Sequence, residues 1–457
     1  MIMRGCNGML LLALLALAAP PPNAAGDDWP QWLGPQRDSV WRESGILNTF
    51  PKDGPKLRWK ADIGPGYSGP AVVGQRVFVM DRVAPSIDLS KAPVTNQDEN
   101  PANSNFERHH IPGRERIVCL RESDGKRLWV HEYDAEYTTA GPYAIGPRTT
   151  PVFEDGRVYA LGAEGHLVCV RARNGKQVWV RKLKSDFGVG TPTWGFASHL
   201  LVDGDRVICM VGGASTTTVA FNAKTGLEMW WSLSSAELGY APPVKASFGG
   251  KDQIIIWHGE SINGLDPESG KVYWSVPIKA QYGMAIAMPR VQGHHIFIMS
   301  YNRQSHLIKV GPSGDDAAIV WKGDTRIGIG GVMNTPFLMD GHIYACDHGG
   351  HYTCARMDTG ERLWSTYQPA TGERPASWAN VFTIQHGSRF FLANDLGDLI
   401  IANLSPKGYE ELSRAHLIDP THEVSGRRLL WSHPAFANRS VYLRNDKEIR
   451  CYSLAAP

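Results

Sequence analysis

Between residues 151 and 179 the chain changes character every few positions. Pro151-Val152-Phe153 is a short apolar run closed by Asp155-Gly156, a strong hairpin signal. Arg157-Val158-Tyr159-Ala160-Leu161 is a β-rich run that ends at the turn Glu164-Gly165. His166-Leu167-Val168-Cys169-Val170 follows, then Asn174-Gly175 and a strand that carries Trp179. The pattern predicts four short antiparallel strands in succession. Residues 336–364 repeat it almost position for position, with Asp340-Gly341, Gly349-Gly350 and Thr359-Gly360 as the turns. No stretch shows sustained helical periodicity.

The fourth strand of each unit has a signature, a turn with Gly and then Trp four residues on. It occurs as Gly125 to Trp129, Gly175 to Trp179, Gly226 to Trp230, Gly270 to Trp274 and Gly360 to Trp364. From Trp129 through Trp179, Trp230, Trp274 and Trp321 to Trp364 the steps are 50, 51, 44, 47 and 43 residues. Such a period fits a four-stranded propeller blade. Eight units begin near Pro70, Pro151, His199, Pro243, Pro289, Pro336, Phe382 and Pro434. The seventh has no Trp at the expected place, and Leu412 is expected there. The last has three strands before the chain ends. Gly54-Pro55-Lys56-Leu57-Arg58-Trp59 looks like its missing outer strand, and joining the two would close the ring without exposed edges. The expected fold class is all-β, an eight-bladed β-propeller of four-stranded antiparallel blades. A length of 457 residues alone suggests several domains; the ring makes 26–457 one domain.

Composition and charge narrow the function. The chain has 48 Gly, 30 Pro and 15 Trp, and 42% hydrophobic residues suffice for a large core. A net charge of +2 argues against a nucleic-acid binder that relies on phosphate neutralisation. Residues 1–25 read as a signal peptide: Arg4, an apolar run from Met9 to Ala19, then Pro20 to Pro22 and the small pair Ala24-Ala25. The run is too short to span a bilayer, and no later segment is long and apolar enough. The protein is expected to be exported, periplasmic or extracellular, and monomeric.

The pattern small-x-x-x-x-[Thr/Ser/Asp/Asn]-Gly-Lys-x-x-Trp resembles the tryptophan-docking repeat of the quinoprotein (pyrroloquinoline quinone-like, PQQ-like) β-propellers. The resemblance covers roughly residues 57–457, and Asp28-Trp29-Pro30-Gln31-Trp32 looks like the start of exported bacterial proteins of this type. It implies that each Trp stacks on the neighbouring blade. The superfamily includes quinone-dependent dehydrogenases. It also includes non-enzymatic scaffolds similar to the propeller subunit of the outer-membrane barrel-assembly machine.

Six cysteines lie beyond the signal: Cys119, Cys169, Cys209, Cys346, Cys354 and Cys451. Cys119, Cys169 and Cys354 each stand six residues before the repeat Gly, where other units have Ala220 or Gly264, and Cys451 corresponds in the last unit. The position calls for a small side chain, and a buried free Cys acts as a small hydrophobe. Aligning the 346–354 hairpin across Gly349-Gly350 sets Cys346 opposite Thr353, so Cys346 and Cys354 are expected on opposite faces. All six are expected unpaired.

Catalytic signals are weak. A quinone dehydrogenase of this family would be expected to show an adjacent Cys-Cys disulfide, an Asp base, and Glu and Asn ligands for Ca²⁺; the chain has no Cys-Cys pair, and the other groups do not fall on family motifs. PQQ and Ca²⁺ are therefore not expected. Nucleophile-elbow, zincin, P-loop and Cys-x-x-Cys motifs are absent. His109-His110 and His294-His295 are adjacent on their strands and point apart, while His348 and His351 could meet across Gly349-Gly350; no catalytic or metal residue is assigned. The richest surface is the ring face where the blade connections and middle turns emerge. Just before successive inner strands stand Tyr67, Arg148, Phe196, Tyr240, Ile286, Met333, Trp378 and Trp431. Tyr67, Arg148, Phe196, Tyr240, Trp378 and Trp431 are candidate ligand-binding residues at the mouth, or else a plug of the tapered channel. Residues 84–113 are an insertion between the second and third strands of the first unit, expected over that face as a lid or as a tolerated loop. The sequence thus points to an exported non-enzymatic propeller scaffold that binds a protein, peptide or glycan partner. The alternatives are a PQQ-dependent dehydrogenase with an atypical site, and a hydrolase or lyase acting on glycans.

Overall fold

The computed structural model describes residues 27–457 apart from 86, 89, 97–105, 144 and 425. The expected signal peptide lies outside the described residues. Eight four-stranded antiparallel sheets span 71–134, 152–182, 201–232, 244–277, 290–322, 337–366, 381–416 and 435–453, and each begins within two residues of the expected unit. In blades 1 to 7 the strands lie in chain order. First strands of neighbouring blades touch, 71–73 against both 152–154 and 435–437, so they line the axis of an eight-bladed propeller. In blade 8 the fourth strand is Leu57–Asp62, antiparallel to Glu448–Ser453 with Trp59 opposite Cys451.

Local chemistry explains the strands. Asp155 and Gly156 have φ of 47° and 71°, as the twist-matching two-residue hairpin turn requires. Middle strands such as Arg157–Leu161 and His166–Arg171 are buried on both faces, so they read as continuous apolar runs. The core lies between blades: Phe78, Ile117 and Cys119 of blade 1 pack against Val158, Ala160 and Val168 of blade 2. The one α-helix among the described residues is a single turn, Leu183–Phe187.

The tryptophans join blade to blade. The Trp129 indole N–H donates to the Ala172 carbonyl at 3.0 Å, Trp179 to Ala223 at 3.0 Å and Trp230 to Pro267 at 3.0 Å. Trp59, Trp321 and Trp364 do the same toward Glu122, Met357 and Ser405. Each acceptor stands three residues before the glycine of the next turn. Five of those glycines have φ of 71–73°, Gly408 being the exception at 157°, and a Cβ on Gly175 would come within 2.5 Å of the Trp129 ring. Across the strand pair the small position faces the ring, Cys119 opposite Trp129 and Cys169 opposite Trp179. Trp274 departs from the scheme. Its indole N–H donates to Gln253 Oε1 at 2.8 Å, and Gln253 Nε2 donates to Gly314 O of the next blade at 2.7 Å.

Two register expectations are corrected. Every fourth strand has a bulge beside the Trp position; in blade 7 this sets Ser413 opposite Ile401 and leaves Leu412 as the bulge residue. Ser413 Oγ accepts the Phe50 amide at 2.9 Å, so the chain before the first strand takes over that dock. In blade 6 Cys346 lies opposite Tyr352, not Thr353, because the turn from Asp347 to His351 shifts the alignment by one residue. Cys346 and Cys354 therefore share a face; both are free, as are the other four cysteines described.

The segment before Leu57 crosses the ring on the face opposite the blade connections. Trp29 bridges to Val72, Pro30 O accepts the Phe153 amide, and Trp41 N–H donates to Gln385 O. The buried Arg37 guanidinium donates to Leu200 O at 2.6 Å and Pro243 O at 3.0 Å, tying blades 3 and 4 to this segment.

Gly156 and Gly175 share a φ of 71°, but a Cβ on Gly156 would meet nothing within 4 Å. Gly156→Ala is expected to cost about 1–2 kcal/mol from left-handed strain alone. Gly175→Ala should cost about 1–3 kcal/mol more from the clash with Trp129. Urea midpoints of the two variants measure the difference, and equal losses would refute the docking argument.

Candidate functional site: an aromatic mouth

On the connection face the ring opens into a cavity of about 300 Å³. Nine aromatic side chains line it: Tyr67, Phe106, Tyr143, Trp194, Tyr240, Tyr282, Tyr301, Trp378 and Trp431. Arg148, Met284, Ile286 and Met333 fill the gaps. The connections supply Tyr67, Arg148, Tyr240, Ile286, Met333, Trp378 and Trp431 because the residue before each first strand must point to the axis where the blade begins.

The rings pack edge to face and offset. Tyr301 stacks on Trp378 with centroids 5.4 Å apart, and Tyr143 stacks on Trp431 at 6.4 Å. Trp194 meets Tyr240 at 5.7 Å and Phe106 at 5.9 Å, and Phe106 meets Tyr282 at 6.0 Å. Such contacts hold large flat faces at little entropic cost. Trp378 has φ of 62°, and its amide donates to His348 O at 2.8 Å, which fixes the indole at the rim.

Phe196 is not part of the mouth. Gly195, at φ 75°, turns the chain between Trp194 and Phe196. Phe196 is 1% exposed and packs with Leu183 and Leu167 in the core between blades 2 and 3. Trp194 and Ala197 line the cavity in its place.

Two excursions frame the opening. The insertion brings Phe106 to the rim, and Arg108 Nη1 anchors it on Thr191 O at 2.7 Å and Thr138 O at 3.2 Å. A two-stranded hairpin, His422–Val424 with Arg427–Leu429, stands between blades 7 and 8. Arg427 pairs with the buried Asp395 at 2.6 Å, and His422 Nε2 bonds to the Tyr67 hydroxyl at 2.9 Å. Burial raises the Tyr67 pKa above its usual value and lowers that of His422.

The floor was not foreseen. His199 and His433 line the base of the cavity, and Trp32 of the crossing segment lies below them. Trp32 stacks on His199 at 4.3 Å and meets His433 edge-on at 5.2 Å. His199 Nδ1 accepts the Thr150 amide at 3.0 Å. Burial, with His433 and Arg37 nearby, lowers the His199 pKa, and burial holds His433 down to about 3. Trp32 lies outside any repeat and left no periodic signal. Tyr301, on a middle turn that emerges on this face, could have been found from the blade geometry.

Chemically the mouth is apolar with one cation. Arg148 donates to Gly146 O at 2.8 Å and Tyr143 O at 2.5 Å, and its guanidinium lies 5.2 Å from the Tyr67 ring centre. Among the described residues no carboxylate lines the cavity. Among the described residues no three His, Cys, Asp or Glu gather as a metal site. His351 bonds to Asp347 at 3.1 Å, and His348 packs against Tyr301.

The profile of a family described as outer membrane protein assembly factor BamB matches residues 113–366. No curated protein matches the chain. Quinohemoprotein alcohol dehydrogenase from Comamonas testosteroni is 12% identical with a TM-score of 0.59, covering 94% of this chain and 81% of its own. Quinohemoprotein alcohol dehydrogenase ADHIIG from Pseudomonas putida HK5 is 11% identical with a TM-score of 0.54, covering 94% and 80%. BamB from Moraxella catarrhalis is 16% identical with a TM-score of 0.49, covering 81% and 96%. The likeness to the two dehydrogenases shows the fold alone.

The floor predicts a pH dependence. In the unfolded chain an imidazole takes its proton near pH 6.5, whereas His433 in the fold does so only near 3. Between these values the unfolded chain binds more protons. Stability is therefore full above pH 6.5 and falls on acidification, by about 1.4 kcal/mol per pH unit for each such histidine. Urea midpoints between pH 7 and 4.5 should fall, and more gently in His433→Phe. An unchanged slope in that variant would contradict the assignment.

Proposed function

Because the chain belongs to the family of PQQ-like β-propellers described as outer membrane protein assembly factor BamB, we propose that it is an exported, non-enzymatic scaffold that seats an apolar or aromatic segment of a partner protein in the mouth of its ring. One observation carries the reading: among the described residues nine aromatic faces surround about 300 Å³ with a single guanidinium and no carboxylate. Interface hot spots combine such rings with one cation in a desolvated pocket. The few polar groups favour protein over glycan, since the Tyr67 hydroxyl is held by His422 and the Tyr240 hydroxyl meets the Trp194 amide. A sugar's many hydroxyls would find few fixed partners there.

The residues also weigh against a quinone cofactor. Ca²⁺ that would hold PQQ needs several oxygen ligands, carboxylates foremost. The described residues of the mouth offer no carboxylate, and the six described cysteines lie free in the blades. This supports a reading without PQQ, Ca²⁺ or an acid–base pair. Export to the periplasm or beyond accords with the sequence of residues 1–25 and with the family.

Titrating a peptide with paired aromatic residues should quench the protein's tryptophan fluorescence. Trp378→Ala and Trp431→Ala should each weaken binding about tenfold, roughly 1.4 kcal/mol, with circular dichroism unchanged. Tighter binding of an oligosaccharide panel would move the reading to glycans. Stoichiometric uptake of PQQ with Ca²⁺ and dye-linked oxidation of an alcohol or aldose would overturn it.

A further inference from the structure

A repeat protein carries its own controls. At the blade 3–4 boundary Arg206 opens a second strand and is neutralised by three acids: Glu268 of blade 4, Asp205 at 3.6 Å and Asp203 at 3.9 Å. Glu268 stands two residues before the repeat glycine, Gly270. At the blade 1–2 boundary Arg76 opens the second strand in the same way. The three acidic places there hold Val73, Gln75 and, two residues before Gly175, Arg173. A site built to absorb one guanidinium is here charged twice over.

Two more arginines join it. A depression of about 630 Å³ between blades 1 and 2 is lined by Arg76, Arg157, Arg171 and Arg173 over Phe78 and Phe153. Arg157 and Arg171 face each other directly across a strand pair, an arrangement of like charges that costs stability. Arg76 Nε is buried with no hydrogen-bond partner, as is Arg206 Nε, so the two boundaries differ in their acids and not in that atom. Among the described residues none of the four makes an ion pair; Arg157 reaches only the Asp155 carbonyl, at 3.5 Å. Nearby acids do not neutralise them. Asp155 lines the depression without pairing, Asp28 accepts the Gly74 amide at 2.7 Å, and Glu122 holds Arg58.

We propose that this depression is a second binding site, distinct from the mouth, for a ligand bearing phosphate-type oxyanions. Guanidinium forks match a phosphate in charge and geometry, and one anion among several of them offsets their mutual repulsion. The volume exceeds that of one phosphate group, and the half-buried Phe153 ring, backed by the fully buried Phe78 with centroids 6.1 Å apart, suits the apolar remainder of a small phosphorylated molecule or a lipid headgroup.

Pyrophosphate is the first probe, titrated by calorimetry at low salt, where screening is least. One site is expected, weakened five- to tenfold by Arg76→Gln or Arg171→Gln and unchanged in Arg356→Gln on blade 6. Arg173→Glu is the decisive variant, since it installs the acid that the blade 3–4 boundary has. It should lower pyrophosphate affinity more than tenfold and raise the melting temperature. Flotation with phosphatidylglycerol vesicles separates the sources: wild-type flotation lost in Arg173→Glu identifies a headgroup, and pyrophosphate binding without flotation identifies a soluble ligand. If neither probe binds, or if Arg173→Glu binds as wild type, the proposal falls. Peptide binding at the mouth is read separately, so either result stands without the other.

Discussion

The indole of one blade on the glycine turn of the next is the contact on which the ring depends. It combines an apolar ring face, an indole hydrogen bond to a carbonyl three residues before the glycine, and a backbone conformation that only glycine adopts without strain. The cross-strand partner must also be small, because the indole covers it. This places Cys119, Cys169, Cys354 and Cys451 opposite tryptophans. They are packing residues, not a disulfide framework. Where blade 5 has a longer turn, Gln253 carries the link instead, so the constraint is contact between neighbours rather than any one side chain.

The docking contact joins neighbouring blades, but the motif that makes it is short, which is why so much of the ring was legible in the sequence. Turn, strand and Trp recur within a few residues, and blade boundaries follow from them. Legibility failed wherever phase shifted by one. The bulge beside each Trp moved the docking place in blade 7 from Leu412 to Ser413. A five-residue turn moved Cys346 by one partner. Gly195 reversed the sense of Phe196 and brought Trp194 to the mouth instead. Alternation makes a single-residue error a change of face. The mouth had a second source of illegibility. Trp32, Phe106 and the 422–429 hairpin come from segments without a period, and only long-range contacts place them.

Those segments make the site one-sided. The crossing segment closes the far end of the axis with Trp32 and Arg37, and neutral histidines sit between that closure and the cavity. Among the described residues the insertion and the hairpin flank the opening, and the wall between them is apolar with one fixed cation, Arg148. The arginine depression lies on the other side of blades 1 and 2, at their first turns. Mouth and depression open on opposite faces of one rigid ring.

The closure of blade 8 by Leu57–Asp62 also sets an order of events. During synthesis or passage across a membrane in the direction N to C, this strand appears first and its partner Glu448–Ser453 appears last. Trp59, which belongs on the first blade's glycine turn at Gly125, has to wait through the whole length of the ring before its strand is paired. Until then the chain is an open spiral with two bare edges, prone to find partners elsewhere. The strand Glu448–Ser453 therefore acts as a clasp: the edge of Leu57–Asp62 stays bare until it arrives, and a chain cut short before it would present a sticky, unfinished sheet to whatever quality control surrounds it.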